Sequence, residues 1–269
     1  MHPAERCSGQ RGRGDITCAC MAFLWNCAHC KSFFATNALK PQASKTMPRW
    51  LERLLHRRTE LGAAEAYARW APDYPPYPHN PMMEMEQNAF LQMLPDLEGS
   101  TVLDIACGSG RYLKIMLQRG AALAVGLDAS MPMLARARVL VPNLVQADLL
   151  CMGLRSNRFQ VITCALALGH VEDLRRALIE ISRVLAPKGT VIYSDLHPTG
   201  VQLGWKRTFR GRDGREYVAR HYSHSLSDHQ AACTTAGLAI AEVREPTIDF
   251  EHKWRGYPAV LIIRATKAG

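Results

Sequence analysis

Between Thr101 and Ser194 the chain alternates five short apolar runs with helical segments, and few folds accept that rhythm. The runs are Thr101–Ala106, Ala122–Leu127, Asn143–Ala147, Phe159–Ala165 and Thr190–Ser194. Each has the length of a strand, and the segments between them, about 8 to 14 residues long, have helical patterning. The clearest follows the fourth run: Val171, Leu174, Leu178, Ile181 and Leu185 share one helical face, and Pro187-Lys188-Gly189 ends it. Strands apolar on both faces, alternating with helices, predict a parallel sheet covered on both sides. After Ser194 the rhythm changes. Trp205–Arg210 and Arg215–Tyr222 flank Gly211-Arg212-Asp213-Gly214, a hairpin signal. A helix over Ser227–Thr235, closed by Gly237, and two strands, Leu238–Val243 and Tyr257–Ala265, complete the reading.

The 269 residues, 48% of them apolar and 21% charged, can bury a full core. No apolar run is long enough to span a bilayer; the richest, Ile16–Ala28, lacks the flanks of a secretion signal. The expectation is a cytoplasmic protein without a transmembrane segment. Lys and Arg exceed Asp and Glu by 33 to 24. Six of the bases and two of the acids fall in residues 1–46, so the rest is only mildly basic. That is not the footprint of a nucleic-acid-binding protein.

Residues 1–46 read as an unstructured or mis-assigned extension, without periodicity or caps. Regular patterning begins at Met47-Pro48-Arg49-Trp50-Leu51. The tail does hold Cys27-Ala28-His29-Cys30, a zinc-like spacing without a second proper pair. Residues 47–98 read as helices and a cap ahead of a domain over 99–269, with the hairpin inserted at about 204–222. From Trp50 an amphipathic helix is expected, with Leu51, Leu54, Leu55 and Leu61 opposite Arg49, Arg53, Arg57 and Arg58; such a helix allows peripheral membrane contact. The stretch Tyr67–Pro81 is rich in aromatics and prolines and reads as a rigid irregular loop.

The chemistry is concentrated at Val102-Leu103-Asp104-Ile105-Ala106-Cys107-Gly108-Ser109-Gly110-Arg111-Tyr112-Leu113, where the first strand joins its helix. Gly108 and Gly110 remove side chains where the backbone turns tightly and nears a ligand. Asp128 ends the second strand 20 residues after Gly108, where a carboxylate can accept both ribose hydroxyls. A dinucleotide site wants a small residue three positions after the second glycine, and here that residue is Leu113. Asp104 would repel a pyrophosphate, but it suits a ligand with ammonium and sulfonium charges. There is no Gly-Lys-Ser/Thr P-loop. These residues favour S-adenosylmethionine over a nicotinamide cofactor.

In these motifs the chain resembles the class I S-adenosylmethionine-dependent methyltransferases, the type 11 group in particular, over about residues 64–265. Asp104–Gly110 is similar to their motif I, and Val125-Gly126-Leu127-Asp128-Ala129-Ser130 to motif II. Gln146-Ala147-Asp148-Leu149 matches the adenine segment, and Arg183–Gly189 the Arg-Val-Leu-x-Pro-Gly-Gly turn, with Lys188 in place of a glycine. Gln160 stands where the family's fourth strand has an Asp. The resemblance implies an α/β, Rossmann-like, doubly wound seven-stranded sheet of order 3-2-1-4-5-7-6 with the last pair antiparallel. It further implies that Asp104, Gly108 and Gly110 line the methionine end of the cofactor. Asp128 would hold the ribose, and Asp148 with the Leu149 backbone would frame the adenine.

A general base is wanted for a hydroxyl or activated carbon acceptor. His170 follows the fourth strand and His197 the fifth, so both are candidate catalytic residues; either could also be structural. His221 and His224 lack a third ligand, and no metal is expected. Tyr67, Trp70, Tyr74 and Trp205 are the expected substrate wall, which favours a flat, small or lipidic acceptor. The function expected is methyl transfer to such an acceptor, at O, C or N. The alternatives are a silent S-adenosylmethionine-binding module and an NAD-dependent oxidoreductase.

Overall fold

The structure, a computed structural model, describes residues 58–269. The readings of residues 1–46 and of the helix from Trp50 lie outside these residues, except at its end. There Thr59–Leu61 is a strand, β1, with Leu61 buried, so the helical periodicity does not extend that far.

Seven strands form the main sheet: β2 (Thr101–Ile105), β3 (Leu123–Asp128), β4 (Leu144–Gln146), β5 (Phe159–Cys164), β6 (Leu185–Leu196), β9 (Leu238–Arg244) and β10 (Val260–Lys267). Their order is β4-β3-β2-β5-β6-β10-β9. Strands β2 to β6 pair in parallel, and β10 runs antiparallel to both β6 and β9. This is the 3-2-1-4-5-7-6 order that the motifs imply. Neighbouring residues on each strand feed opposite faces. Val102, Val161, Ile192 and Ile262 join one core layer with Phe90, Met93 and Met116. Leu103, Ile162, Val191 and Ile263 join the other with Leu178 and Ile181. Both faces are thus dry, which is why the runs read as continuously apolar.

The helices begin where their caps dictate. Helix α1 (Ala63–Trp70) is followed by α2 (Pro81–Met93), where the Asn80 side chain accepts from Met83 N and proline occupies the first turn. Then come α3 (Arg111–Gln118), α4 (Met131–Ala137) and α5 (Leu174–Val184). Asp173 caps α5, so Val171 precedes the helix; Leu174, Leu178 and Ile181 are its buried stripe. Burying three such side chains contributes about 5 to 9 kcal/mol before entropy. A short α6 (Pro198–Gln202) and α7 (Leu226–Thr235) complete the set, the latter with a capping box from Ser225 and Asp228.

A second, three-stranded sheet is built on the hairpin. β7 (Arg207–Arg210) and β8 (Glu216–Ala219) pair antiparallel, and β1 adds to β8 in parallel. Phe209 and Tyr217 pack inward with Leu61 and Ala66. They are core residues of this small sheet. Tyr67 and Trp70 lie on α1 rather than in a loop, because the breakers begin only at Pro72. The irregular stretch proper starts at Tyr74.

Lys188, where the sequence departs from a glycine, has φ +62°, a left-handed backbone that costs a side-chain-bearing residue about 1 kcal/mol or more. Exposed Lys188→Gly is expected to raise the melting temperature by about 1 to 3 °C. A thermal melt checks it, and a lower midpoint would contradict the strain argument. Gln160 sits at the amino-terminal edge of the sheet, where its Oε1 accepts from Thr101 N at 2.8 Å. That departure therefore acts on strand pairing and not on the cleft.

Candidate active site

The carboxyl ends of β2, β3, β4 and β5 open into a cleft of about 320 Å³. At one end β2 runs into a turn where Ala106, Gly108 and Gly110 all have positive φ. A side chain on Gly110 would press on Ala137 Cβ at 3.2 Å; one on Gly108 would meet nothing within 4 Å and stand in open space. At Gly126 a Cβ would collide with Leu113, Leu144 and Cys107, so the close helix–strand contact of this motif is made there. Leu113 fills that contact and is fully buried.

Three acids line this end. Asp128 accepts from Gly108 N through Oδ2 at 2.8 Å and from Ser130 N through Oδ1 at 2.7 Å. The glycine turn and the acid at the end of β3 are thus one unit. Each of its oxygens retains a further lone pair. Burial raises the Asp128 pKa against those two donors. Asp104, at the end of β2 and 2% exposed, accepts from Thr163 Oγ1 at 2.7 Å. Burial pushes its carboxyl up to about 7, the Thr163 hydroxyl opposing the shift only in part. Exposed Asp148 accepts from Leu150 N at 2.8 Å and lines the cleft with Leu149.

The other end is built around His170. Its Nδ1 lies 2.6 Å from the Arg220 carbonyl, which can only accept, so Nδ1 carries the proton. Nε2 then accepts from the Tyr67 hydroxyl at 3.1 Å, and Tyr67 accepts from Arg207 Nη1 at 3.2 Å. Burial, with the Arg207 charge nearby, lowers the His170 pKa to about 4, so the ring is neutral at physiological pH. Arg207 also donates to the Leu166 carbonyl and, through Nη2, to Asp195 Oδ1 at 2.8 Å. Burial alone would raise the Asp195 carboxyl. Arg207, together with the hydrogen bond and charge of His221, holds it far below the usual carboxylate range. Tyr74 and Tyr222 also line this end.

Three expected residues lie elsewhere. His197 is on the carboxyl side of the sheet but does not line the cleft. Its Nδ1 accepts from Thr199 N to cap α6, and its Nε2 pairs with Glu245 Oε1 at 2.9 Å, so both nitrogens are committed. It is dropped as a base. Trp70, stacked on Phe209 with centroids 5.0 Å apart, and Trp205, packed against Gly200 and Trp254, line a neighbouring cavity of about 290 Å³. Tyr67, Tyr74, Leu166 and Arg207 form the wall common to both cavities. The sequence expectations did not include the Arg207–Asp195 pair. The one local signal was an acid, Asp195, ending an apolar strand.

The family model described as "Methyltransferase domain" matches residues 103–193. An uncharacterized protein of Haemophilus influenzae is 30% identical over 229 residues, covering 68% of this chain and 87% of that one. The malonyl-[acyl-carrier protein] O-methyltransferase of Salmonella typhimurium is 33% identical over 168 residues, 62% of this chain and 65% of that enzyme. Among solved structures, an S-adenosylmethionine-dependent methyltransferase from Mesorhizobium loti superposes with a TM-score of 0.58 at 26% identity, over 68% of this chain and 98% of that one. With the sheet order and the glycine turn, these place the chain in the class I S-adenosylmethionine-dependent methyltransferases. It is an S-adenosylmethionine-dependent methyltransferase, with S-adenosylmethionine as its cofactor. The donor set fits that group: a buried acid ready to meet a cation, and a second acid with free lone pairs beside a side-chain-free turn.

Proposed function

We propose that the chain methylates an oxygen of a small or lipidic acceptor bound at the Tyr67–His170–Arg207 end of the cleft. In this reading Asp104, Gly108 and Gly110 hold the methionine portion of the donor, Asp128 its ribose, and Asp148 with Leu149 its adenine. When bound, the donor supplies an electrophilic methyl carbon on a sulfonium sulfur. The chain's own work is alignment, exclusion of water and removal of one proton. The observation that carries the reading is the arrangement of His170. Its tautomer is fixed by the Arg220 carbonyl, and its accepting nitrogen faces the Tyr67 hydroxyl on the cleft wall. A proton from an acceptor hydroxyl or carboxyl can pass to Nε2 directly or through Tyr67. A relative named as an O-methyltransferase supports oxygen as the accepting atom. Tyr74 and Tyr222 supply an aromatic wall for a flat or apolar acceptor. We place the reaction in the cytoplasm, in keeping with free thiols at Cys107, Cys151, Cys164 and Cys233; no helix among the described residues is long and apolar enough to cross a membrane.

The test is turnover with methyl-labelled donor against phenols, carboxylic acids, acyl thioesters of dicarboxylic acids, and amines, with products identified by mass spectrometry. Label is expected in an ether or ester. Exclusive labelling of nitrogen or carbon would overturn the oxygen assignment. His170→Ala is expected to lower kcat about a hundredfold or more and leave S-adenosylhomocysteine affinity within about twofold. Because the ring titrates at about 4, wild-type kcat should stay on a plateau from pH 6 upward and fall below pH 5. Unchanged turnover in the variant would leave alignment alone as the source of rate.

A further inference from the structure

The second cavity, of about 290 Å³, has Trp70, Met82, Met83 and Leu196 on its walls and meets the cleft along Tyr67, Tyr74, Leu166 and Arg207. An apolar cavity of roughly 150 Å³ is enough to hold a benzene ring. Among the described residues no Asp or Glu lines it, and two buried N–H groups on it are unpaired. One is the indole Nε1 of Trp205, which has no hydrogen-bond partner among the described residues; the other is Nε of Arg207. Arg207 commits its terminal nitrogens to Tyr67, Leu166 and Asp195, which leaves Nε over. Trp205 lies against Gly200, where there is no room for a Cβ, and beside Trp254 with ring centroids 6.3 Å apart. A phenylalanine would serve that packing without burying an N–H, and a buried donor left unpaired is destabilising. Exposed Lys206 lines the same cavity and adds a positive charge.

A donor built of adenosine and an amino acid takes up most of a cleft of about 320 Å³, since pockets for ligands of that size run from about 300 to 1,000 Å³. The body of the acceptor then needs room beyond the cleft, and the second cavity adjoins it at Tyr67, whose hydroxyl faces His170. We propose that the second cavity takes the body of the acceptor, an apolar or aromatic acid whose carboxylate pairs with the spare donors of Trp205 and Arg207 while its methylated oxygen lies at Tyr67. Apolar walls, N–H donors and a nearby cation, with no acid among them, favour such a molecule over an amine or an uncharged lipid. This names the substrate class of the site proposed above and rests on that reading for the reacting oxygen.

Saturating S-adenosylhomocysteine fills the donor site, and calorimetric titration then compares 3-(4-hydroxyphenyl)propionate with 4-propylphenol, its congener without the carboxylate. The wild type is expected to bind the acid about tenfold or more tightly than the congener. Trp205→Phe keeps an aromatic ring and removes the N–H, and it should shrink that advantage to about threefold or less by weakening the acid alone. If Trp205→Phe fails to fold, Lys206→Gln, at an exposed position, carries the same comparison. Equal affinities in the wild type, or an advantage that the variant leaves untouched, would overturn the proposal, as would a wild type that binds neither compound. Methyl label found only on nitrogen or carbon acceptors would sink the oxygen assignment without altering these affinities, so the two failures are told apart.

Discussion

Asp128→Ala is expected to reduce S-adenosylhomocysteine binding at least a hundredfold while the protein still unfolds cooperatively. Two ribose hydroxyls donating to a carboxylate contribute about 1.5 to 3 kcal/mol each, so their joint loss exceeds two orders of magnitude in affinity. The structure adds a second reason. Asp128 takes the N–H groups of Gly108 and Ser130, so alanine also frees the glycine turn that shapes the adjoining wall. Gly108→Val should have a similar effect by another route. Its φ of +54° is costly for a β-branched residue, and the new side chain would stand in the open space of the cleft. Isothermal titration checks both variants, and undiminished binding in either would remove that residue from the donor site.

The second large effect is one of stability against function at Asp104. Burial holds its carboxyl up at about 7 in the folded chain, against 3.8 for an ordinary aspartate. Between those values the folded state holds more protons than the unfolded one, so stability falls as pH rises through that window. Across about three pH units the loss is of the order of 4 kcal/mol. Asp104→Asn keeps an oxygen for the Thr163 hydroxyl and has no proton to lose. The variant is therefore expected to melt on the order of 10 °C higher than wild type at pH 8, with less than half that gap at pH 5. The same change should cost affinity, because an amide cannot pair with the donor's ammonium. Wild-type affinity for S-adenosylhomocysteine should fall nearly tenfold for each pH unit below 7, since binding needs the carboxylate. The variant's weaker affinity should not follow pH in that range. Thermal melts and titrations at pH 5 and 8 decide it; a variant less stable at pH 8 would contradict the burial argument.

The sheet was legible because its strands are apolar on both faces and its helices carry a single stripe, so both periods survive in the sequence. The residues proposed to hold the donor were legible because they lie within or beside local motifs: two glycines, an acid in the strand before them, and an acid closing the next strand. The proposed acceptor end was not, because it is assembled by pairing across the fold. Arg207 meets Asp195 and Tyr67 through contacts between separate elements, and no local pattern announces a buried charge pair. His197 misled for the opposite reason. Its place after β6 puts it at the correct edge of the sheet, but the turn into α6 takes one ring nitrogen as a cap and Glu245 takes the other. β1 is only three residues long and pairs with a strand more than 150 positions away, too short to show an alternation. The loop reading of Tyr67–Pro81 gave the prolines too much reach, since α1 continues through Trp70 before the first of them takes effect.

One cleft is proposed to hold donor and acceptor and to move a methyl group between them. The most direct test is transfer of label from methyl-labelled S-adenosylmethionine into small molecules of a cell extract, run in parallel with wild-type protein and with Asp128→Ala. A labelled product is expected with the wild type and none above background with the variant. Tight binding of S-adenosylmethionine by the wild type with no labelled product from any extract or acceptor would contradict it and leave a silent binding module.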